Sequence, residues 1–303
     1  MDAGFDERLR AAAFAYLDAI MRASGGFVTR AELEAFQFEG QRIPLIERQR
    51  GIRKFRDLPA ALSILTTYAR NPERRPYDDG LGIDNYPRYK WQGTDRDAFD
   101  NRALRYAMES RTPLVWFIGI APGVFEAHFP VWIVGEEPAE TQFVLALAEE
   151  LVAAWAPDLA LEPHAPARLY ARRIVKARLH QPVFRSRVLL AYERQCALCR
   201  LRHPELLEAA HIRRDSAGGE PIVPNGIAMC AIHHRAFDAN ILGIDPRHRV
   251  EIRRDVLEEL DGPTLQHTLQ GLHGGLLILP KRPAERPRPD LVEERYEEFR
   301  AAG

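Results

Sequence analysis

Four metal-ligand residues occur as two short pairs in the C-terminal half of the chain. The first pair is Cys196-x2-Cys199 and the second is Cys230-x2-His233, thirty residues further along. Each pair has the spacing with which one turn can offer two ligands to a tetrahedral zinc ion. Four protein ligands leave no open position for a substrate, so we predict a structural Zn²⁺ site. The alternative interpretation is that these cysteines are small buried hydrophobic residues.

A second ligand pair lies in the same segment. The stretch "AMCAIHHRAFDAN" contains no Gly or Pro, and it is predicted as a helix with Cys230 and His233 on one face. His234 and Asp238 are four residues apart and share a neighbouring face, turned by about 100°. A nitrogen and an oxygen ligand suit a harder ion such as Mg²⁺ or Mn²⁺. We therefore predict one helix that serves two metal ions, with the roles of His233 and His234 open to exchange.

Two further residues complete a candidate catalytic set. His211 lies in "LLEAAHIRR", which is predicted as a strand. Histidine titrates near neutral pH, so His211 is a candidate general base, although a packed or surface histidine is the alternative. Asn225 precedes the helix in "PNGIAMC", where an asparagine commonly ties a loop through its amide.

The order His211, Asn225, His234 resembles the HNH nucleases, whose fold is a ββα-metal finger. The signature "CALC…AAHI…NGIAMCAIHHRAFD" carries this resemblance over about residues 189–245. It implies that His211 activates water, that Asn225 orients this histidine or its loop, and that His234 binds the divalent ion at the scissile phosphate. The catalytic residues implied are thus these three.

The sequence departs from that family at one position. Many HNH enzymes carry an aspartate directly before the base, as a metal ligand, and this chain has Ala210 there. We therefore assign the second ligand of the catalytic ion to Asp238, one helical turn after His234. Asp215 and Glu208 are less favoured substitutes.

The N-terminal half contains an aromatic and acidic stretch at roughly residues 70–135, with "YDDG", an aromatic-rich strand that closes in "QG", then "DNRAL" and an apolar strand. This order resembles the SRA domains, which flip a modified cytosine out of the duplex. The resemblance implies that Tyr77 and Trp91 wall the flipped base. It implies also that Asp79 reads the Watson–Crick edge and that Gln92 lies near the 5-substituent. "QGTD" replaces the usual "GxGG", and composition alone favours ordinary core aromatics and an ordinary turn.

Periodicity predicts the elements that position these residues. Residues 5–22 read as an amphipathic helix, and "TRAELEAF" reads as a second helix with a capping box between Thr29 and Glu32. "PLVWFIG" and "FPVWIVG" are predicted strands, and "DRDAFDNRALRYAMES" between them is a predicted helix. "TQFVLALAEELVAAWA" is a strand that passes into a helix, or one long helix. "LPKRPAERPRPD" is predicted as an extended surface segment before a closing helix, "LVEERYEEFR".

These elements predict an α+β protein with two domains. Residues 1–165 form an SRA-like, β-rich, DNA-binding domain with a helical entry at 1–40. Residues 166–188 form a basic helical linker, and 189–303 form a zinc-stapled ββα-metal (HNH) domain with a C-terminal extension. The net charge is only −1, but residues 168–214 hold twelve Lys or Arg against three acids. Such a cluster can contact a phosphate backbone, and solvated helix faces are the alternative.

Together these features predict a modification-dependent DNA endonuclease of the restriction type. Its expected partner is double-stranded DNA with 5-methyl- or 5-hydroxymethylcytosine, and we expect a homodimer because one finger cuts one strand. We expect a cytoplasmic protein without a membrane partner, since no apolar run reaches the length of a membrane span. The alternatives are an HNH nuclease that reads unmodified sequence and a non-catalytic, zinc-stabilised DNA-binding protein.

Overall fold

The computed structural model describes residues 4–47, 49–55, 58–68, 86–147 and 179–302. The chain divides into two compact units, Met1–Val183 and Phe184–Gly303. Both helices and strands occur in each unit, so the predicted α+β class is confirmed. None of the helices within the described ranges combines the length and the apolar character that crossing a lipid bilayer requires.

The first unit begins with the two predicted helices. Helix α1 (Phe5–Ser24) buries Leu9, Ala13 and Leu17, which recur every four residues along one face. Helix α2 (Arg30–Ala35) begins at a complete capping box. The Glu32 amide donates to the Thr29 hydroxyl at 3.3 Å, and the Thr29 amide donates to the Glu32 carboxylate at 2.7 Å.

A seven-stranded sheet forms the centre of this unit. The strand order is β4-β5-β7-β8-β9-β6, and β1 pairs with β8. The β5–β7 pair is parallel and the other pairs are antiparallel. A small hairpin, β2 with β3, lies outside the sheet. The strands of the unit are β1 (Val28–Thr29), β2 (Gln37–Phe38), β3 (Gln41–Arg42), β4 (Ile52–Arg53), β5 (Ser63–Thr66), β6 (Arg88–Lys90), β7 (Leu114–Ala121), β8 (Val124–Glu137) and β9 (Gln142–Ala146).

The sheet is buried on both faces, which explains the unbroken apolar run in β7. Leu114 and Trp116 pack in one hydrophobic cluster with residues of helix α3 (Phe99–Glu109). Val115 and Phe117 point the other way and pack in a second cluster with α1. A strand between two helical layers needs apolar side chains at every position, and "LVWFI" supplies them.

Glu136 of β8 binds Arg105 of α3 and Arg96, which precedes that helix. The Arg105 and Arg96 guanidinium groups donate to its carboxylate at 2.8 and 2.9 Å, and the Glu136 side chain is 6% exposed. Burial alone would raise the pKa of Glu136, but the hydrogen bonds from Arg105 and Arg96 outweigh it and lower this pKa to about 2.

The second unit contains a β-hairpin followed directly by a helix. Strand β10 (Leu207–His211) pairs antiparallel with β11 (Gly226–Cys230), and α5 (Ala231–Asp238) follows without a loop. Helix α4 (Gln181–Ala191) leads into the unit. The remaining elements are β12 (Leu242–Ile244), β13 (Val250–Ile252), α6 (Arg254–Glu258), α7 (Pro263–Thr268) and α8 (Pro289–Ala302).

Two segments have element boundaries in the structure that differ from those predicted from the sequence. The helix predicted over "AMCAIHHRAFDAN" begins only at Ala231, because residues 228–230 belong to β11. Cys230 therefore pairs with Leu207 in the hairpin and caps α5, so it does not lie in a helical turn with His233. The segment "TQFVLALAEELVAAWA" starts as strand β9, and its residues 148–156 lie outside the described ranges.

Candidate functional site

Three cysteines and one histidine form a compact group at the N-terminus of α5. The ligand atoms of Cys196, Cys199, Cys230 and His233 all lie within 4.8 Å of one another. His233 Nδ1 is 3.3 Å from Cys196 Sγ and 3.2 Å from Cys230 Sγ. His233 Nε2 lies 2.7 Å from the Thr268 carbonyl oxygen, which fixes the ring. This group could hold a zinc ion, with His233 rather than His234 as the nitrogen ligand.

Two different local structures bring these ligands together. Cys196 and Cys199 lie in a tight turn, in which the Arg200 amide donates to the Cys196 carbonyl at 3.0 Å. Cys230 ends β11 and His233 lies in the first turn of α5. The hairpin between the two pairs thus closes the long gap in sequence.

The two buried thiols differ in acidity. The hydrogen bond with Cys230 lowers the pKa of Cys196, and the same bond raises the pKa of Cys230 to about 11. Cys196 therefore deprotonates before Cys230. Zinc ligation needs thiolates, so metal binding at this group would release protons.

His234 lies on another face of α5, between two carboxylates. Its Nδ1 is 2.5 Å from Glu208 Oε2, and its Nε2 is 3.3 Å from Asp238 Oδ2. The His234 side chain is 22% exposed, whereas both acids are about half exposed. Because the acids occupy opposite ring nitrogens, only one of them can share an ion with His234 in this arrangement. The predicted pair of His234 and Asp238 has the N,O donor chemistry that suits Mg²⁺ or Mn²⁺.

Glu208 contacts His234, a contact that the sequence analysis did not predict. Side chains alternate along a strand, so Glu208 and Ala210 leave β10 on the same face. That face is the one toward α5, since Glu208 contacts His234. Ala210 is fully buried and offers no ligand atom, and the acid beside the histidine comes instead from two residues earlier. The alternation of "LEAAH" places Glu208 and Ala210 on one face, but it does not show that this face meets α5.

His211 ends β10 beside helix α4. Its half-buried ring stacks on Phe184 with ring centroids 4.0 Å apart and planes inclined by 21°. By alternation its side chain leaves the strand on the face opposite to that of Glu208. Gly226, its partner across the hairpin, touches α4 so closely that a Cβ there would lie 2.4 Å from Val188 Cγ2. The glycine thus lets the hairpin approach the helix that supports His211.

Asn225 fixes the loop that follows His211. Its side chain is 1% exposed. Asn225 Oδ1 accepts from the Arg213 amide at 2.8 Å, and Nδ2 donates to the carbonyls of Arg213 at 3.1 Å and Glu220 at 2.9 Å. In the described structure it binds the loop backbone.

The predicted base-binding residues are only partly described. Tyr77 and Asp79 lie outside the described residues. Trp91 is 3% exposed and packs near Phe143, with ring centroids 6.2 Å apart. Trp91 and Gln92 line one cavity of about 220 Å³. The SRA-like assignment therefore remains a prediction.

Comparison with known families agrees with the hairpin and helix geometry. Residues 196–245 match a family model described as HNH endonuclease. The predicted HNH resemblance is thereby confirmed for the segment that contains the Cys₃His group, the hairpin and α5. The match supports a nuclease.

The solved structures that are similar to this chain include two restriction endonucleases. The chain is similar to the modification dependent TagI restriction endonuclease, with 16% identity over 90% of this chain and 91% of that chain and a TM-score of 0.31. It is also similar to the Type IV phosphorothioation-dependent restriction endonuclease ScoMcrA, with 16% identity over 73% of this chain and 57% of that chain and a TM-score of 0.23. No curated protein matches the chain.

Proposed function

We propose that this protein is a metal-dependent DNA endonuclease that cuts near 5-methyl- or 5-hydroxymethylcytosine in double-stranded DNA. The observation that carries the nuclease is the ββα unit within the matched segment, in which α5 contributes His233 to a Cys₃His group and presents His234 with Asp238 on another face. The structural ion is Zn²⁺, and the catalytic ion is Mg²⁺ or Mn²⁺ at His234 and Asp238.

The chain's own residues would divide the work of phosphodiester hydrolysis. A bound divalent ion would supply Lewis-acid stabilisation of the charge that develops on the phosphate. A ring nitrogen of His211 takes the proton from the attacking water, and the stack on Phe184 holds that ring in place. His211 leaves β10 on the face opposite to that of Glu208, so the scissile phosphate must bind at the end of the hairpin to meet both this ring and the ion at His234.

Asn225 and Glu208 act as positioning residues in this proposal. Asn225 fixes the loop after His211 through three backbone hydrogen bonds. Glu208 accepts a hydrogen bond from the Nδ1–H of His234, which leaves the Nε2 lone pair free for the ion beside Asp238. A carboxylate behind a ligating histidine fixes its tautomer and raises its basicity.

Recognition of the modified base belongs to the first unit in this proposal. A nuclease finger contacts mainly phosphates, so selectivity must come from another part of the chain. We assign it to Tyr77, Asp79, Trp91 and Gln92, of which the last two line the described cavity. Flipping a base costs a few kcal/mol, which contacts in the pocket must recover. Cutting both strands would need a homodimer or two visits.

A non-catalytic, zinc-stabilised DNA-binding protein is the second candidate. Ala210 favours it, because the acid that many HNH enzymes carry there is missing. Metal-dependent cleavage by the purified protein would decide between the two candidates.

The test is cleavage of duplexes that carry cytosine, 5-methylcytosine or 5-hydroxymethylcytosine, with and without Mg²⁺ or Mn²⁺. We expect ion-dependent cleavage that prefers a modified duplex. His211→Ala should abolish it with zinc content and melting temperature unchanged, whereas His203→Ala, an exposed histidine of the same unit, should cut normally. Equal cutting of all three duplexes would contradict the recognition proposal, and normal cutting by His211→Ala would contradict the assigned base.

A further inference from the structure

The last turn of α5 carries Asp238 and depends on contacts from outside the helix. α5 has only eight residues, and Asp238 is the last of them. The final carbonyls of an α-helix lack partners within it, and a helix this short is marginal by itself. His234 and Asp238 share a face only while this turn stays helical, since they lie four residues apart. The geometry of the proposed ion site therefore depends on what holds the C-terminus of α5.

The following backbone binds two carbonyls of this turn. The Ala239 amide donates to the Arg235 carbonyl at 3.0 Å, and the Ile241 amide donates to the Ala236 carbonyl at 2.9 Å. Asn240 has a φ of 53°, the left-handed conformation in which many helices end. The chain thus leaves α5 directly after its last turn.

Two arginines from other parts of the second unit bind the last two carbonyls of α5. Arg295 of α8 donates to the Phe237 carbonyl. Arg214 donates to the Asp238 carbonyl at 3.0 Å, and it lies three residues after His211. Positive charge is favourable at this end of a helix, because the helix dipole is negative there. Arg214 also connects the loop after the proposed base to the end of the helix that carries the proposed ion ligands.

Arg295 is the buried member of this pair. Its side chain is 4% exposed, whereas that of Arg214 is 44% exposed. The Arg295 guanidinium lies over the Phe237 ring, 4.5 Å from the centroid. It also donates to Asn240 Oδ1 and, at 3.2 Å, to the Glu298 carboxylate. One planar group therefore binds the last turn of α5 and the residue with which the helix ends.

The charge of Arg295 acts on Asp238 as well. Burial and the neighbouring Arg214 lower the pKa of Arg295, whereas the carboxylates of Glu298 and Asp238 raise it. A cation beside an ion-binding carboxylate repels a divalent ion, so by its charge alone Arg295 would weaken the ion site. By fixing the helix end it would strengthen the same site. The two effects have opposite signs, so a measurement of ion affinity separates them.

We propose that Arg295 is a positioning residue of the catalytic ion site. Its bonds to the Phe237 carbonyl and the Asn240 side chain fix the last turn of α5. The fixed turn then keeps the Asp238 carboxylate beside His234, where the two can share an ion. The roles of His234 and Asp238 in this inference rest on the proposed function. Helix α8, in the C-terminal extension, is thereby part of the support of the nuclease site.

The test compares two substitutions of Arg295 in the zinc-loaded full chain. Arg295→Met removes the charge and keeps a long side chain, and Arg295→Lys keeps the charge without the planar fork. Tyr296→Phe is the matched control, because it removes a hydrogen bond of 2.7 Å from the next residue of α8 to Glu251 of β13. Mn²⁺ affinity is measured by electron paramagnetic resonance, with zinc content and melting temperature of the same samples. Amide exchange at residues 239–241 reports on the last turn whether or not an ion binds.

We expect both Arg295 variants to bind Mn²⁺ about ten-fold more weakly, with zinc retained and with faster amide exchange at residues 239–241. Cleavage at saturating duplex should fall while KM for the duplex stays unchanged, and Tyr296→Phe should alter none of these quantities. A role through charge alone predicts instead that Arg295→Met binds Mn²⁺ more tightly and that Arg295→Lys binds it normally.

That result would overturn the proposal, and so would unchanged Mn²⁺ affinity in both variants or equal weakening in Tyr296→Phe. If Arg295→Met shows no folding transition, Arg295→Lys decides alone. A parent protein that binds Mn²⁺ without cutting DNA would contradict the proposed function, while the two variants would still decide whether Arg295 positions the ion site.

Discussion

Replacing Asn225 by alanine should remove the main restraint on the loop after His211. The change deletes three side-chain hydrogen bonds of 2.8 to 3.1 Å. The Arg213 amide and the carbonyls of Arg213 and Glu220 then lose the Asn225 side chain as their partner in a buried position. At about 0.5–1.5 kcal/mol net for each bond, the loss is on the order of 2–4 kcal/mol in the free energy of unfolding. Cleavage should fall as well, because the segment that carries the proposed base loses its anchor.

The assay is urea denaturation of the zinc-loaded protein together with cleavage of a modified duplex. Asn101→Ala is the matched control, since Asn101 is also fully buried and also makes three hydrogen bonds to loop backbone. It should lower stability by a similar amount and leave the cleavage rate at saturating duplex unchanged, because its hydrogen bonds are to Gln92 and Asp95 of the first unit. A fall of less than about 0.5 kcal/mol for Asn225→Ala, which is the range of ordinary surface changes, would refute the reasoning.

Three further predictions follow from single contacts. Glu136→Gln should cost on the order of 2 kcal/mol of unfolding free energy near neutral pH. The folded-state pKa of Glu136 lies near 2, below its usual 4.5. The difference in unfolding free energy between the two proteins, measured by urea titration, should therefore vanish as the pH falls from 4.5 to about 2. Gly226→Ala should lower the melting temperature and disturb the His211 ring, because the new Cβ would lie 2.4 Å from a methyl group of α4; the His211 NMR shifts would report this. Glu208→Ala should weaken Mn²⁺ binding about ten-fold. It should also leave the His234 proton no longer fixed at Nδ1, which nitrogen NMR spectra would show as a mixture of the two tautomers. Glu205→Ala should have neither effect.

Local sequence signals predicted those elements that local interactions form. The capping box at Thr29 and the buried face of α1 depend on contacts within one helix or its entry, and both are found. The spacing within the Cys-x2-Cys and Cys-x2-His pairs also predicted a shared metal site, and their four ligand atoms lie close together. In each case the determining residues are close together in sequence.

Long-range pairing determined the features that the sequence did not reveal. Ala228 and Met229 have helix-forming side chains, yet cross-strand pairing with β10 holds them in β11. Glu208 reaches His234 only because the hairpin folds onto α5, which no local pattern shows. The burial of Trp91, which is 3% exposed, likewise depends on how the sheet packs, and its role in a base pocket stays a prediction.

The central claim is that α5 presents a structural ion on one face and a reactive ion on another. The most direct measurement is the zinc content of purified His234→Ala and His233→Ala, combined with Mn²⁺ titration of each. We predict that His234→Ala retains one zinc ion per chain and loses Mn²⁺ binding, whereas His233→Ala loses its zinc. Loss of zinc from His234→Ala with zinc retained in His233→Ala would contradict the account.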